Sequence, residues 1–375
     1  MENQNSVCYV GEVTEVKSIE GADKIELVIV GGWNCIVPKG EYSENERVII
    51  ATTDAVIPES IVEQMGVASY LRKGNRVRTV KLKGVYSECL IIPTKYAKNI
   101  ILSIGEDKMG ELSISKYEPP VRQIQLSSGQ KKNYRDNPNF PIYYKFPNLK
   151  NVMGMFTEED QVQITRKLHG TNARYGIVKK TSLTFFDKVK KFFRLADRWI
   201  DYEFVYGSHN CEKGSDTQGY YSTDVWRTIA DDYQIKEKLW SYVKRFSFPG
   251  ELGTGVILYG EIYGTGIQKN YDYNCTGMAF AGFDLIEDGK YVDTLNTKLA
   301  ISSMIGLPHI EILYIGEWSQ EIQDKYTFNN FISGTKVPHE GIVIKHTSGD
   351  RRKVSKVINP GYSIYSEKHE VGDSH

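Results

Sequence analysis

Residues 161–165 (QVQIT) read as a strand, and Lys167-Leu168-His169-Gly170-Thr171-Asn172 follows it. A strand that delivers a lysine to a glycine turn flanked by hydrogen-bonding side chains places an amine at the mouth of a pocket. Four later segments carry complementary groups. Residues 258–264 (LYGEIYG) hold a carboxylate, Glu261, between two glycines. Residues 280–285 (FAGFDL) form an aromatic strand with Phe280, Phe283 and Asp284. Glu340 and Lys345 bracket an apolar run, and residues 351–357 are basic, with Lys353 and Lys356. Each segment alone is an ordinary strand. In this order they supply a nucleophilic amine, two carboxylates, an aromatic platform and cations for a phosphate. Other chemistries lack their signatures: the chain has no G-x-x-x-x-G-K-[ST], no G-x-G-x-x-G after a strand and no H-E-x-x-H. The remaining histidines read as surface or internally satisfied groups.

In this order the segments resemble motifs I, III, IIIa, IV and V of the covalent nucleotidyltransferases, the superfamily of ATP-dependent ligases and capping enzymes. K-x-H-G-T-N, where others have K-x-D-G, resembles the RNA ligase 2-type branch. Upstream, GADKIELVIVGGWNCIVPKGEY and RVRTVKLKGVYSECLIIP resemble the N-terminal OB module of Naegleria-type RNA ligases. The resemblance spans about residues 10–362. It implies an ATP-dependent RNA ligase that uses ATP with Mg²⁺ or Mn²⁺ and works in three steps. A lysine takes AMP from ATP, AMP passes to an RNA 5′-phosphate, and a 3′-hydroxyl then displaces it. Residue by residue, the resemblance implies that Lys167 accepts AMP, with Lys356 and Glu340 as its catalytic partners. His169, Gly170, Asn172, Glu261, Phe283, Lys345 and Lys356 would bind the nucleotide. Phe283 would stack on adenine, with Phe280 as the other possibility, and Glu340 would hold the metal through water. Asp284 would be a further nucleotide contact.

The residue types suit that chemistry. A free lysine amine is scarce at neutral pH, since its reference pKa is about 10.4. Neighbouring cations disfavour the charged form and stabilise charge on a departing phosphate. Lys345, Lys356 and a divalent metal are placed to do both. Two departures from the family pattern stand out. A second motif V lysine is missing at Ile358, for which Lys353 could substitute. The motif Ia arginine is replaced within residues 205–210 (VYGSHN), where Ser208, His209 or Asn210 could touch the nucleotide or RNA, as could Arg174.

The supporting elements read as two units. Residues 1–118 show an imperfect alternation at Val10, Val13 and Val16 and short strands at 25–30, 33–37, 47–52, 76–82 and 89–92, with Gly31-Gly32 as a hairpin turn. Such spacing suggests a five-stranded OB-type barrel that binds RNA. Residues 119–140, with two prolines and Lys131, Lys132 and Arg135, read as a linker. Residues 141–375 read as an α+β nucleotidyltransferase domain with an antiparallel sheet. Its strands are expected at 161–164, 203–206, 256–262, 278–286 and 341–346, and its helices at 187–199 and 224–246.

The chain has 375 residues, 47 basic and 47 acidic, so its net charge excludes binding to nucleic acid through bulk basicity. It leaves room for local patches. Arg72, Lys73, Arg76, Arg78, Lys81 and Lys83 form one such patch. Strand alternation would put Arg76 with Arg78, and Lys81 with Lys83, on one face for an RNA backbone. The five cysteines are scattered without a C-x-x-C, which fits a reducing cytoplasm. No signal peptide or membrane span is expected, and the protein is expected to be a monomer. A DNA ligase or capping enzyme normally carries its OB fold after motif V, where only 19 residues follow Lys356. A non-catalytic RNA-binding protein with a degenerate transferase domain is the other alternative, and the intact Lys167 segment argues against it.

Overall fold

The structure, a computed structural model, describes residues 6–97, 102–117, 137–152, 154–193, 197–209, 212–213, 224–248, 251–347 and 353–372. Strands β1 (Cys8–Ser18), β2 (Ile25–Val30), β3 (Trp33–Pro38), β4 (Arg47–Thr52) and β5 (Cys89–Ile92) form one antiparallel sheet in the order β3-β2-β1-β4-β5. Alternation decides which residues face inward. Val28, Val30, Trp33, Cys35, Val37, Val48, Ile50 and Ile91 make its core. Gly31 sits at φ 59, the left-handed conformation that a tight β2–β3 turn needs. The two sheet edges meet: the Glu88 amide donates to the Asn34 carbonyl at 2.7 Å, and the Ile36 amide to Ser87 Oγ at 3.0 Å. The result is a nearly closed five-stranded OB-like barrel.

The expected strand at 76–82 is mostly not a strand. Val80–Leu82 pairs with Val85–Ser87 in a hairpin outside the five-stranded sheet, and Arg76 makes only isolated bridges, to Val56 and Arg72. Arg76 and Arg78 therefore share no barrel-strand face. Arg72 and Arg78 instead reach Glu367 of the C-terminal helix, at 3.4 and 2.8 Å. Arg76 pairs with Asp54 and lies 3.9 Å over the Tyr117 ring. Of the six basic residues, Lys73, Lys81 and Lys83 are exposed.

The rest of the chain forms two further antiparallel sheets. One has the order β11-β6-β12-β13, from β6 (Gln161–Lys167), β11 (Ile312–Glu317), β12 (Gly341–His346) and β13 (Val354–Ile358). The other is centred on β8-β7-β9-β10, from β7 (Thr171–Lys179), β8 (Tyr202–Gly207), β9 (Gly255–Gly264) and β10 (Met278–Glu287). Residues 168–170 carry the chain from the first sheet to the second. Helices α2 (Val225–Asp232) and α3 (Ile235–Phe246) cover the outer face of the second sheet, over Ala173, Tyr175, Leu258 and Phe280. The single helix expected at 224–246 is broken at Gln234, whose φ of 52 ends one helix and starts the next. The helix expected at 187–199 is α1, Phe185–Phe192, begun by a Thr184–Asp187 capping box. A C-terminal helix, α4 (Pro360–Lys368), packs beside the barrel through Glu367. Phe140 packs on the second sheet's other face, with Val178, Ile257 and Tyr259, and residues 118–136, with Lys131, Lys132 and Arg135, fall outside the described residues.

Candidate active site

Strand pairing gathers the lysines. Lys167 lies opposite Gly341, and Val343 lies opposite Lys356. Alternation puts Lys167, Lys345 and Lys356 on one face of the first sheet. Val162, Ile164, Ile342, Ile344 and Val357 fill the core behind it. On the second sheet Asn172 lies opposite Glu261, and both face the same gap. Lys167 Nζ donates to Glu340 Oε1 at 2.6 Å. Gly170 is required by close approach: a Cβ there would lie 2.1 Å from the Ile262 carbonyl oxygen and 3.0 Å from Glu261 Cγ. Gln268 Nε2 fixes the Gly170 carbonyl at 2.7 Å.

The charges interact across this gap. Burial pushes the Glu261 carboxyl up to about 8, opposed by the Lys167 cation and reinforced by Glu340. Burial also acts upward on Glu340, but Lys167, His169 and Lys356 outweigh it and hold that carboxyl below its usual range. Lys356 is drawn down to about 8 by burial and then by the neighbouring Lys167, against the pull of Glu340. Glu340 Oε2 and Asn172 Oδ1 are buried and accept no hydrogen bond among the described residues. They are oxygen donors left open toward the gap.

A β-bulge arranges the aromatic wall. Tyr259 pairs with Asp284 but Gly260 pairs with Gly282, so Phe283 is the extra residue. Phe283 and Asp284 consequently both face the gap, whereas period two would have split them. Phe283 packs edge-on against Tyr143, ring centroids 5.0 Å apart. Phe280 faces the other way. It is 1% exposed and lies edge-on to Tyr175 and Tyr233 in the outer core, so it is no alternative ring for the site.

Lys345 is buried beneath this wall and not open to the gap. Its Nζ donates to the Phe283 carbonyl at 2.8 Å and to Asp284 Oδ2 at 3.0 Å, and Tyr143 donates to the same Asp284 oxygen at 2.8 Å. Lys345 and Asp284 thus anchor the bulge. Lys353 does not replace the missing lysine either. It is exposed at the far end of β13 and bonds Asp160 at 3.0 Å. Ile358 packs against the cluster of Tyr271, Ile332, Tyr362 and Val371.

His169 is buried. Its ring meets the Tyr271 and Tyr362 rings and its Nε2 lies 3.3 Å from the Gly372 carbonyl. Its amide donates to Tyr273 Oη at 2.6 Å. His169 therefore shapes the turn after Lys167. Arg174 is buried, bonds the Ser208 carbonyl at 3.0 Å and the Phe140 carbonyl, and stacks on the Phe140 ring. His209 is half-buried beside it, and Asn210 lies outside the described residues. Sequence reasoning missed Tyr143, Gln268, Tyr271 and Tyr273. The only signal was the density of tyrosine, 25 in the chain.

The family model described as RNA ligase matches residues 160–358, from β6 through β13, and an OB-fold domain model matches residues 7–94. No curated protein sequence matches the chain. Among solved structures it is similar to Naegleria gruberi RNA ligase in several states. A lysine-to-alanine mutant with ATP and Mn is 20% identical, with a TM-score of 0.68 over 97% of this chain and 99% of that one. A glutamate-to-alanine mutant with AMP and Mn is 20% identical, with a TM-score of 0.69 over 98% and 99%. The same ligase with PPi is 21% identical, with a TM-score of 0.67 over 98% and 99%. That likeness is one of fold, barrel and sheets together. The sequence match covers the segments that carry Lys167, Glu261, Glu340 and Lys356, and by it this chain belongs to the RNA ligase family.

Proposed function

We propose that the chain is an ATP-dependent RNA ligase of the AMP-forming class, which joins a 3′-hydroxyl to a 5′-phosphate through AMP carried on Lys167. The observation that carries this reading is the set around Lys167 Nζ. It has Glu340 at 2.6 Å, Lys356 beside it with its amine drawn down to about 8, and the open oxygens of Glu340 and Asn172. In the first step Lys167 Nζ, having lost a proton, bonds to the α-phosphorus of ATP, and the bond to pyrophosphate breaks. Two ammonium groups share one strong carboxylate here, so one of them is readily neutral. Lys356 faces the position where charge builds on the phosphate. Phe283 offers a ring to adenine, and the mostly protonated Glu261 offers a hydrogen bond to the ribose. AMP then passes to the RNA 5′-phosphate, and attack by the 3′-hydroxyl expels it.

The open Glu340 and Asn172 oxygens suit a hydrated hard cation such as Mg²⁺ or Mn²⁺, which typically takes one or two carboxylates plus phosphate oxygens. When bound, such an ion would neutralise phosphate charge. The solved ligases carrying ATP, AMP and Mn support this choice of nucleotide and metal. We read residues 1–118 as an RNA-binding barrel, 119–140 as linker and 141–375 as the transferase, acting as a monomer in the cytoplasm. Among the described residues no helix is long and apolar enough to cross a membrane.

The test is incubation with α-labelled ATP and divalent metal, then denaturing electrophoresis. Label should stay on the wild-type chain and be absent from Lys167→Ala. An unlabelled wild-type chain across metals and pH would overturn the reading. Transfer from GTP in place of ATP would point to capping chemistry.

A further inference from the structure

The end of the β8-β7-β9-β10 sheet remote from Lys167 carries a surface that ligation chemistry leaves unexplained. There α1 links β7 to β8, and its charged side faces the body. Lys180 Nζ bonds Asp187 at 3.2 Å, and Lys191 Nζ bonds Asp201 at 2.7 Å. Its aromatic side faces water. Phe185 and Phe186 are 75% exposed, Phe192 81% and Phe193 62%. At roughly 100° per residue, Phe185, Val189, Phe192 and Phe193 share a stripe with the exposed Lys188 and Lys190 on its two borders. The end of α3 adds to the same region. Tyr242 bonds Glu287, whose strand partner Val256 pairs with Ile177 near the end of β7. The exposed Lys244, Arg245, Phe246 and Phe248 follow directly. An exposed apolar patch of this kind marks an interaction surface.

We propose that this aromatic face binds a single strand of RNA, its phenylalanines stacking on unpaired bases while Lys188 and Lys190 meet phosphates. The proposal rests on the RNA ligase reading and names where the strand runs beyond the joint. Charge favours an anionic partner. Lysines border the stripe, whereas the carboxylates around α1 are engaged within the fold: Asp187 by Lys180, Asp201 by Lys191, Asp197 by the Trp199 amide and Asp288 by the Thr254 amide; the exposed Glu251, beside Phe248, is the exception. Ring geometry favours a partner with flat faces. Phe185–Phe186 and Phe192–Phe193 are edge-to-face pairs at 75° and 90°, so in each pair a ring face stays open. Distance also fits. β7 has nine residues, so at ~3.3 Å per residue α1 lies about 26 Å from the catalytic turn. At ~3.4 Å per nucleotide that is about eight nucleotides of strand.

The experiment compares binding of single-stranded RNAs of 6 and 20 nucleotides by fluorescence anisotropy, using the full chain. Wild type should bind the longer RNA about tenfold more tightly, and Phe185→Ser with Phe192→Ser should abolish that gain while leaving the shorter RNA unchanged. Lys188→Glu with Lys190→Glu should flatten the salt slope for the longer RNA by about 1.4. All four positions are exposed, so self-adenylylation should be unaffected in both variants. Equal length dependence in wild type and variants would overturn the proposal. So would unchanged RNA binding together with loss, in the phenylalanine variant, of binding to phosphatidylserine vesicles, which would make an anionic membrane the partner. Absent self-adenylylation in wild type would refute the ligase reading separately, since the length comparison does not depend on it.

Discussion

Glu261→Gln should make the protein more stable, and increasingly so as pH rises. The folded carboxyl titrates near 8 and the unfolded one near 4.5. Below pH 4.5 both states hold the proton, and the group contributes nothing to the difference. Between 4.5 and 8 the unfolded chain releases its proton while the folded chain keeps it, so unfolding is increasingly favoured. Above 8 the cost is complete. At 1.36 kcal/mol per pH unit the upper bound is about 5 kcal/mol. Glu261 keeps partial contact with water, so about 2–3 kcal/mol is expected between pH 5 and pH 8. Glutamine keeps the shape and a hydrogen-bonding end without the titration. The assay is urea unfolding of both proteins at pH 5, 6, 7 and 8. The stability gap should widen with each step, while labelling by α-labelled ATP falls. A gap that changes by less than about 0.5 kcal/mol over that range would show that Glu261 is not held neutral by its surroundings.

Gly170→Ala should slow self-adenylylation about 10²-fold, because a Cβ placed 2.1 Å from the Ile262 carbonyl forces the turn to move by about 1 Å. Single-turnover labelling within threefold of wild type would contradict it. Glu367→Gln should release Arg72 and Arg78 from the C-terminal helix and steepen the salt dependence of RNA binding by about 1.4, read from anisotropy titrations at several salt concentrations. Lys345→Met should lower stability by about 3–5 kcal/mol, because it strands the buried Asp284, with partial recovery when combined with Asp284→Asn. Lys356→Met should leave stability within about 1 kcal/mol while abolishing labelling, since it removes a cation that its surroundings already disfavour.

Much of the fold was legible because local rules and the tertiary structure agree. The alternation in β2 and β3 across Gly31-Gly32 specifies a hairpin and its inward face, and the barrel keeps both. β12 runs over Gly341–His346, the range its apolar pattern suggests. The failures come where a distant partner overrides local pattern. Residues 76–79 alternate like a strand, yet Asp54, Tyr117 and Glu367 draw Arg76 and Arg78 into side-chain contacts instead. The run 224–246 has helical spacing throughout, and only the left-handed Gln234 divides it. Neither cause is visible within a sequence window.

The site was legible in its residue types and less so in their directions. Lys345 and Lys356 look alike in sequence, each a lysine in a short apolar strand, and they rise from the same sheet face. What separates them is the acid each meets across the gap. A bulge at Phe283 turns Asp284 inward, and that carboxylate claims Lys345 together with Tyr143. Lys356 meets no such dedicated partner. It shares Glu340 with Lys167, and burial draws its amine down to about 8. One insertion in β10 thus converts the first lysine into a prop for the aromatic wall and leaves the second for phosphate. The same logic governs Phe280 and Phe283. Three residues apart, they would face opposite sides of any regular strand, so alternation could exclude one of them but not say which. The choice follows from where the helices lie, since α2 and α3 bury the Phe280 side and leave the Phe283 side to the lysines.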